Sequence, residues 1–353
     1  MKTFTCNNCE NIVFYENDIC GYCSSLLGYW NREEKMLAAK PGTVFSNNET
    51  FFKYCRNHEY GACNWLIPLN FDIEYCEACQ LNSVIPDLGD AKRLEEWRKI
   101  EFAKHRLIYS LNKLQLLFVF PQKDKEDLKL QFRFLAPDNS NEGGKKILTG
   151  HLNGIITLNV EEADDLKREK ARMQMGEKMR TLLGHFRHEI GHFYWEALIL
   201  PHPENLSQFR DIFGDESKDY AESLQEYYRN GPAENWRESF ITKYASSHPW
   251  EDWAETWAHY LHIMDTLETA HYFGVKIEPQ ELKAKPIQSA GIDPYKEEKF
   301  EVIVNEYITL TIAINSLNRG MGIPDIYPFI LNSKEIIKLS FIHNLLYQGK
   351  HLN

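Results

Sequence analysis

Thr181-Leu182-Leu183-Gly184-His185-Phe186-Arg187-His188-Glu189-Ile190-Gly191-His192-Phe193-Tyr194-Trp195-Glu196-Ala197-Leu198 contains no proline, and Leu182, Phe186, Ile190, Phe193 and Ala197 recur at helical spacing. Such a stripe predicts a helix anchored along one side. His188 and His192 stand four residues apart on roughly the opposite face, in the pattern H-E-x-x-H, so their imidazoles can grip one Zn²⁺. Glu189 then lies beside the metal, placed to take a proton from water. His185, one turn earlier on the same face, reads as a supporting or surface group before it reads as a spare ligand.

Hydrolysis at such a metal needs a third protein donor and one position open to water. The best source is Ser247-His248-Pro249-Trp250-Glu251-Asp252-Trp253-Ala254-Glu255-Thr256-Trp257-Ala258-His259-Tyr260-Leu261-His262. Pro249 suits the first turn of a helix, and Ser247 or His248 its cap. Trp250, Trp253, Trp257, Leu261 and Met264 share one face, while Glu251, Glu255, His259 and His262 share another. Periodicity does not choose among these four donors, and acids in a first turn also suit the helix dipole.

A resemblance sharpens the choice. In zincins of the glutamate-ligand class, thermolysin-like enzymes included, a glutamate supplies the third donor and a second acid often follows four residues later. Lethal-factor-type toxin peptidases are similar more closely still, with E-x-x-A-E preceded by a tyrosine seven residues before the first glutamate. Here Tyr244 precedes Glu251-Asp252-Trp253-Ala254-Glu255 at those spacings. The resemblance implies Glu251 as ligand, Glu255 as the acid orienting a ligating histidine, and Tyr244 as donor to the developing oxyanion. The whole chain also resembles a bacterial family of zinc-binding metallopeptidases with an N-terminal zinc ribbon, on 183–192 and 248–262.

All eight cysteines precede residue 80. Cys6-x₂-Cys9-x₁₀-Cys20-x₂-Cys23 is a paired-knuckle pattern, two turns each offering two thiolates to one Zn²⁺. Cys55, Cys63, Cys76 and Cys79 form a second set, in which only the last pair is C-x-x-C, so a second four-cysteine zinc site is expected there. His58, between Cys55 and Cys63, could replace one thiolate but reads first as a bystander. Paired C-x-x-C spacing suits metal better than disulfides.

Met1-Lys2-Thr3-Phe4-Thr5-Cys6 lacks an apolar signal core, and no apolar run reaches membrane-spanning length. A cytoplasmic protein is expected. The net charge of −11 argues against nucleic acid as partner, because neutralising phosphates needs a basic face and here bases mix with acids, as in 164–180.

The fold class expected is α+β: N-terminal zinc-ribbon modules, then a mostly helical zincin-like metallopeptidase domain with a small antiparallel sheet. Residues 1–30 form the ribbon, 50–87 the second cysteine module and 90–353 the peptidase domain. A charged helix over 90–114, with Leu94, Trp97, Glu101, His105 and Ile108, reads as too mixed for deep burial. Strands are expected over 116–120 (a buried one), 130–135 and 147–160, the last interrupted by Gly150 and Gly154. Helical breaks are expected at Pro201/Pro203, Gly231-Pro232, Pro249, Pro279 and 320–324. The function expected is peptide-bond hydrolysis on a peptide or protein substrate, with one catalytic and two structural zinc ions; the cysteine modules can also present a protein partner. The alternative is a catalytically silent zinc-stapled adaptor.

Overall fold

Each C-x-x-C pair of the first cysteine set closes as a tight knuckle. The amides of Glu10 and Ser24 bond back to the carbonyls of Cys6 and Cys20 at 2.8 and 2.9 Å. Both residues hold positive φ, 61° and 56°, a left-handed step uncommon outside glycine that reverses the chain within one turn. The computed structural model describes residues 1–121, 126–137, 147, 149–168, 181–278, 289–327 and 330–350. The expected break at Pro279 and the stretch 169–180 lie outside them. Two units result, one from Met1–Asn112, Leu117–Ala171 and Thr181–Phe186, the other chiefly from Arg187–Asn353.

In the first unit, β1 (Phe4–Thr5) pairs with β2 (Ile12–Val13), and β3 (Leu26–Trp30) with β4 (Lys35–Ala39). β5 (Phe45–Asn47), β6 (Thr50–Tyr54) and β7 (Leu66–Pro68) make a third small antiparallel sheet. Leu37, Ala39, Phe45, Phe52 and Leu66 form an apolar cluster among these strands, with Leu26, Trp30 and Tyr54 packed against it. After α1 (Glu77–Gln80) and β8 (Asn82–Val84) comes α2 (Ala91–Lys113).

The expectation that α2 is shallow is wrong. Trp97, Ile100, Leu107, Ile108 and Leu111 are fully buried, and so are Glu101 and Lys104. The mixed composition reflects polar groups that satisfy one another inside: Lys104 Nζ donates to Glu101 Oε1 at 2.9 Å, and His105 Nδ1 bonds the Glu101 carbonyl at 2.7 Å.

β11 (Gln131–Leu135) runs parallel to both β8 and β13 (Ile155–Asn159), and β12 (Gly150–Leu152) joins β13 antiparallel. The largest sheet is therefore mixed, whereas the smaller ones are antiparallel. β12 and β13 are joined by Asn153-Gly154 with φ of 48° and 81°, the two positive values that a tight hairpin turn requires. Phe132, Phe134, Ile156 and Leu158 alternate inward with no exposure, and Phe186 packs edge-on to both phenylalanines. The buried strand expected over 116–120 is instead β9 (Val119–Phe120), paired with β10 (Leu128–Lys129) in a two-stranded ribbon. Leu117 and Val119 are 55% and 45% exposed, because a two-stranded ribbon covers neither face.

The second unit is helical: the later part of α3 (Leu182–Leu198), then α4 (Pro203–Phe213), α5 (Tyr220–Asn230), α6 (Pro249–Tyr272), α7 (Phe300–Gly320) and α8 (Ser333–Lys350). Pro203 and Pro249 each occupy a first helical turn, and α5 and α7 stop at Gly231-Pro232 and Gly320, as the breaks require. α6 is the core element, with Trp253, Trp257, Leu261 and Ile263 fully buried.

Candidate metal centres

Gly191 sets how closely α3 meets α6. A Cβ built there would lie 2.9 Å from the Ala254 Cα and 3.1 Å from the Trp257 Cβ, so only glycine lets the helices touch at this point. Trp253 Nε1 fixes the register by donating to the Gly191 carbonyl at 2.8 Å. His248 caps α6 by accepting from the Trp250 amide at 3.1 Å.

This register brings His188, His192 and Glu251 together. The two histidine Nε2 atoms are 3.2 Å apart, and Glu251 Oε2 lies 3.0 Å from His188 Nε2 and 3.6 Å from His192 Nε2. Oε2 is buried and accepts no aligned hydrogen bond. Three donor atoms this close together face a common point. Donors about 2.0–2.1 Å from a tetrahedral zinc would stand about 3.3–3.4 Å apart, so the three atoms fit that ion.

Around this triad, Glu255 Oε1 lies 2.7 Å from His188 Nδ1, which turns Nε2 toward the other donors. Burial opposes charge on His188, yet Glu251 and Glu255 overcome it and hold its pKa well above the ordinary imidazole value. Burial likewise opposes ionisation of Glu251, but His192 and His188 hold it well below the usual carboxylate range. Glu189 is 5% exposed. Tyr244 places its ring 5.9 Å from that of His188; burial first, then the Glu251 charge, raises its pKa, so its hydroxyl keeps its proton. Two neighbours were not read as part of the site from sequence: the Trp250 ring lies tilted, 3.9 Å from the His192 ring, and the Tyr220 hydroxyl donates to Glu251 Oε1 at 2.6 Å.

The remaining histidines go elsewhere. His259 Nδ1 bonds the Tyr327 hydroxyl at 2.7 Å, His262 meets Arg187, and His185 pairs with Glu162 at 2.6 Å.

In the first cysteine set, Cys6 and Cys23 sulfurs are 3.8 Å apart, and those of Cys9 and Cys20 3.7 Å. Thiolates about 2.3 Å from one tetrahedral zinc stand about 3.8 Å apart. In the second set Cys63 and Cys76 are 3.7 Å apart, and the amides of Trp65 and Cys76 donate to the sulfurs of Cys63 and Cys55. Burial pushes the Cys63 and Cys76 thiols up, while hydrogen bonds from neighbouring thiols hold Cys79 well down. Four thiolates packed so tightly need a cation to ionise together. All members of each set lie within 4.8 Å of one another.

His58 stacks on Tyr54 and bonds the Cys63 carbonyl through Nδ1, outside the donor set. His105 was missed: its Nε2 lies 3.6 Å from Cys79 Sγ and 3.9 Å from Cys76 Sγ. Glu101 and His105 at i and i+4 within the apolar face of α2 were the available signal.

Two groups of four cysteines and the His188–His192–Glu251 group each bring together donor atoms that could hold a metal ion. The chain belongs to the family described as "Putative zinc-binding metallo-peptidase", whose profile matches residues 93–345. Residues 3–90 match a zinc-ribbon domain. Uncharacterized proteins of Mycobacterium bovis and of two strains of Mycobacterium tuberculosis are each 38% identical over 347 residues, spanning 98% of this chain and 95% of theirs. No solved structure matches. Among the described residues, no helix is long and apolar enough to cross a membrane.

Proposed function

We propose that the chain is a zinc-dependent peptidase in which His188, His192 and Glu251 hold one exchangeable ion and Glu189 is the general base. The observation that carries this reading is the meeting of two Nε2 atoms and an unbonded buried carboxylate oxygen within 3.0–3.6 Å. A zinc ion held there supplies Lewis acidity and makes water a stronger acid. Glu255 keeps the His188 proton on Nδ1, so that Nε2 presents its lone pair. Glu189 takes the proton of the attacking water and returns it to the leaving amine. The protonated Tyr244 hydroxyl donates to the carbonyl oxygen as it gains charge.

Cys6, Cys9, Cys20 and Cys23 hold one structural zinc, and Cys55, Cys63, Cys76 and Cys79 another. Residues 1–30 and 50–87 are the corresponding modules, able to present a protein partner, and 90–353 the peptidase region. Eight cysteines, none in a disulfide, suit the reducing cytoplasm. The substrate is a peptide or protein.

The test is a peptide-library digest with zinc-loaded protein beside Glu189→Gln. Cleavage lost in the variant supports the peptidase. The silent adaptor draws on one fact: His188, Glu189, His192 and Glu251 are each under a tenth exposed. Equal absence of cleavage in both proteins favours it.

A further inference from the structure

The 2.6 Å hydrogen bond from Tyr220 to Glu251 has a specific consequence for the metal. A carboxylate can offer a cation one oxygen or two. In Glu251, Oε1 accepts from the Tyr220 hydroxyl, while Oε2 lies against His188 and His192 Nε2 with no aligned bond of its own. The two oxygens are thus divided between two tasks.

We propose that Tyr220 is a positioning residue for the metal, holding Oε1 so that Glu251 donates through Oε2 alone and one coordination position stays open for water and substrate. This rests on the peptidase reading of the centre. The placement of Tyr220 is specific. Its ring meets His248 edge-on at 5.3 Å and Trp250 at 5.7 Å, and His248 and Trp250 flank the start of α6. None of the residues of α5 is buried, so the phenol owes its place to these contacts and to Glu251, not to a helix sunk in the core.

Tyr220→Phe keeps the ring and removes only the hydroxyl. The exchangeable ion is stripped with a chelator, leaving the cysteine-held zinc, and the centre is reloaded with Co²⁺; His188→Ala gives the background. The parent should show the intense visible band of four-coordinate cobalt. In Tyr220→Phe the freed carboxylate can offer both oxygens, so the band should weaken, and zinc should bind about ten- to a hundredfold less tightly. An unaltered band and affinity in Tyr220→Phe overturns the positioning role while leaving the centre in place. So does a fall in turnover at saturating zinc with both unchanged, which would assign the hydroxyl to substrate. A parent band that persists in His188→Ala instead overturns the centre itself, and this role with it.

Discussion

The first cysteine set and the histidine–glutamate group both bring together donors that could hold a cation, at opposite ends of sequence separation. Cys6 to Cys23 draw all four sulfurs from two knuckles within one short stretch, each knuckle shaped by its own hydrogen bond and left-handed residue. The second centre takes two donors from one helical turn and the third from another helix, at Glu251. Its geometry depends on how α3 packs on α6, and so on Gly191 and Trp253. A local set can close fully around its ion; a set built across helices can leave a side open, which chemistry requires.

That contrast can be broken by substitution. The largest effect should follow Glu189→Gln, which removes the proposed base and no donor: hydrolysis should fall on the order of 10³-fold or more, with zinc content unchanged. Parallel assays of cleavage and metal content check it. Tyr244→Phe should cost about a hundredfold in kcat, the usual loss for one oxyanion donor, with metal affinity kept. Glu255→Ala should weaken zinc binding about ten- to a hundredfold, because His188 Nδ1 loses its partner. If Glu255→Ala emptied the centre while Glu251→Ala did not, the two glutamates would exchange roles.

Acid should sharpen the comparison with a smaller, graded effect. In the metal-free protein Glu251 and Glu255 hold the His188 pKa well above its ordinary value. Zinc needs the neutral ring, so binding must expel that proton. Below the His188 pKa, affinity at this centre should fall about tenfold for each unit the pH drops. Calorimetry in buffers of different ionisation enthalpy reads the released proton directly.

The same contrast explains what was legible in the sequence. The C-x-x-C knuckles and H-E-x-x-H are read from spacing because the chemistry lies within a single turn. Glu251 and Glu255 emerged as candidates on one stripe, but choosing between them needed a resemblance, since nothing local separates i from i+4. Tyr220 carried no signal: an exposed residue opening a polar helix is ordinary until its hydroxyl is seen at Glu251. α2 misled because charged residues usually mark a solvated face, and Glu101, Lys104 and His105 instead pair inside. The strand over 116–120 misled in the opposite way, since an apolar run is buried only if something covers it.

On the proposed reading, His188, His192 and Glu251 share one ion held less tightly than the cysteine ions. Zinc counted by elemental analysis before and after mild chelation, in the parent and in Glu251→Ala, tests it most directly. The parent should carry about three ions per chain and keep about two, and Glu251→Ala should start at about two and lose none. A Glu251→Ala protein that still carries the third ion, or a parent stripped of all its zinc together, would contradict the account.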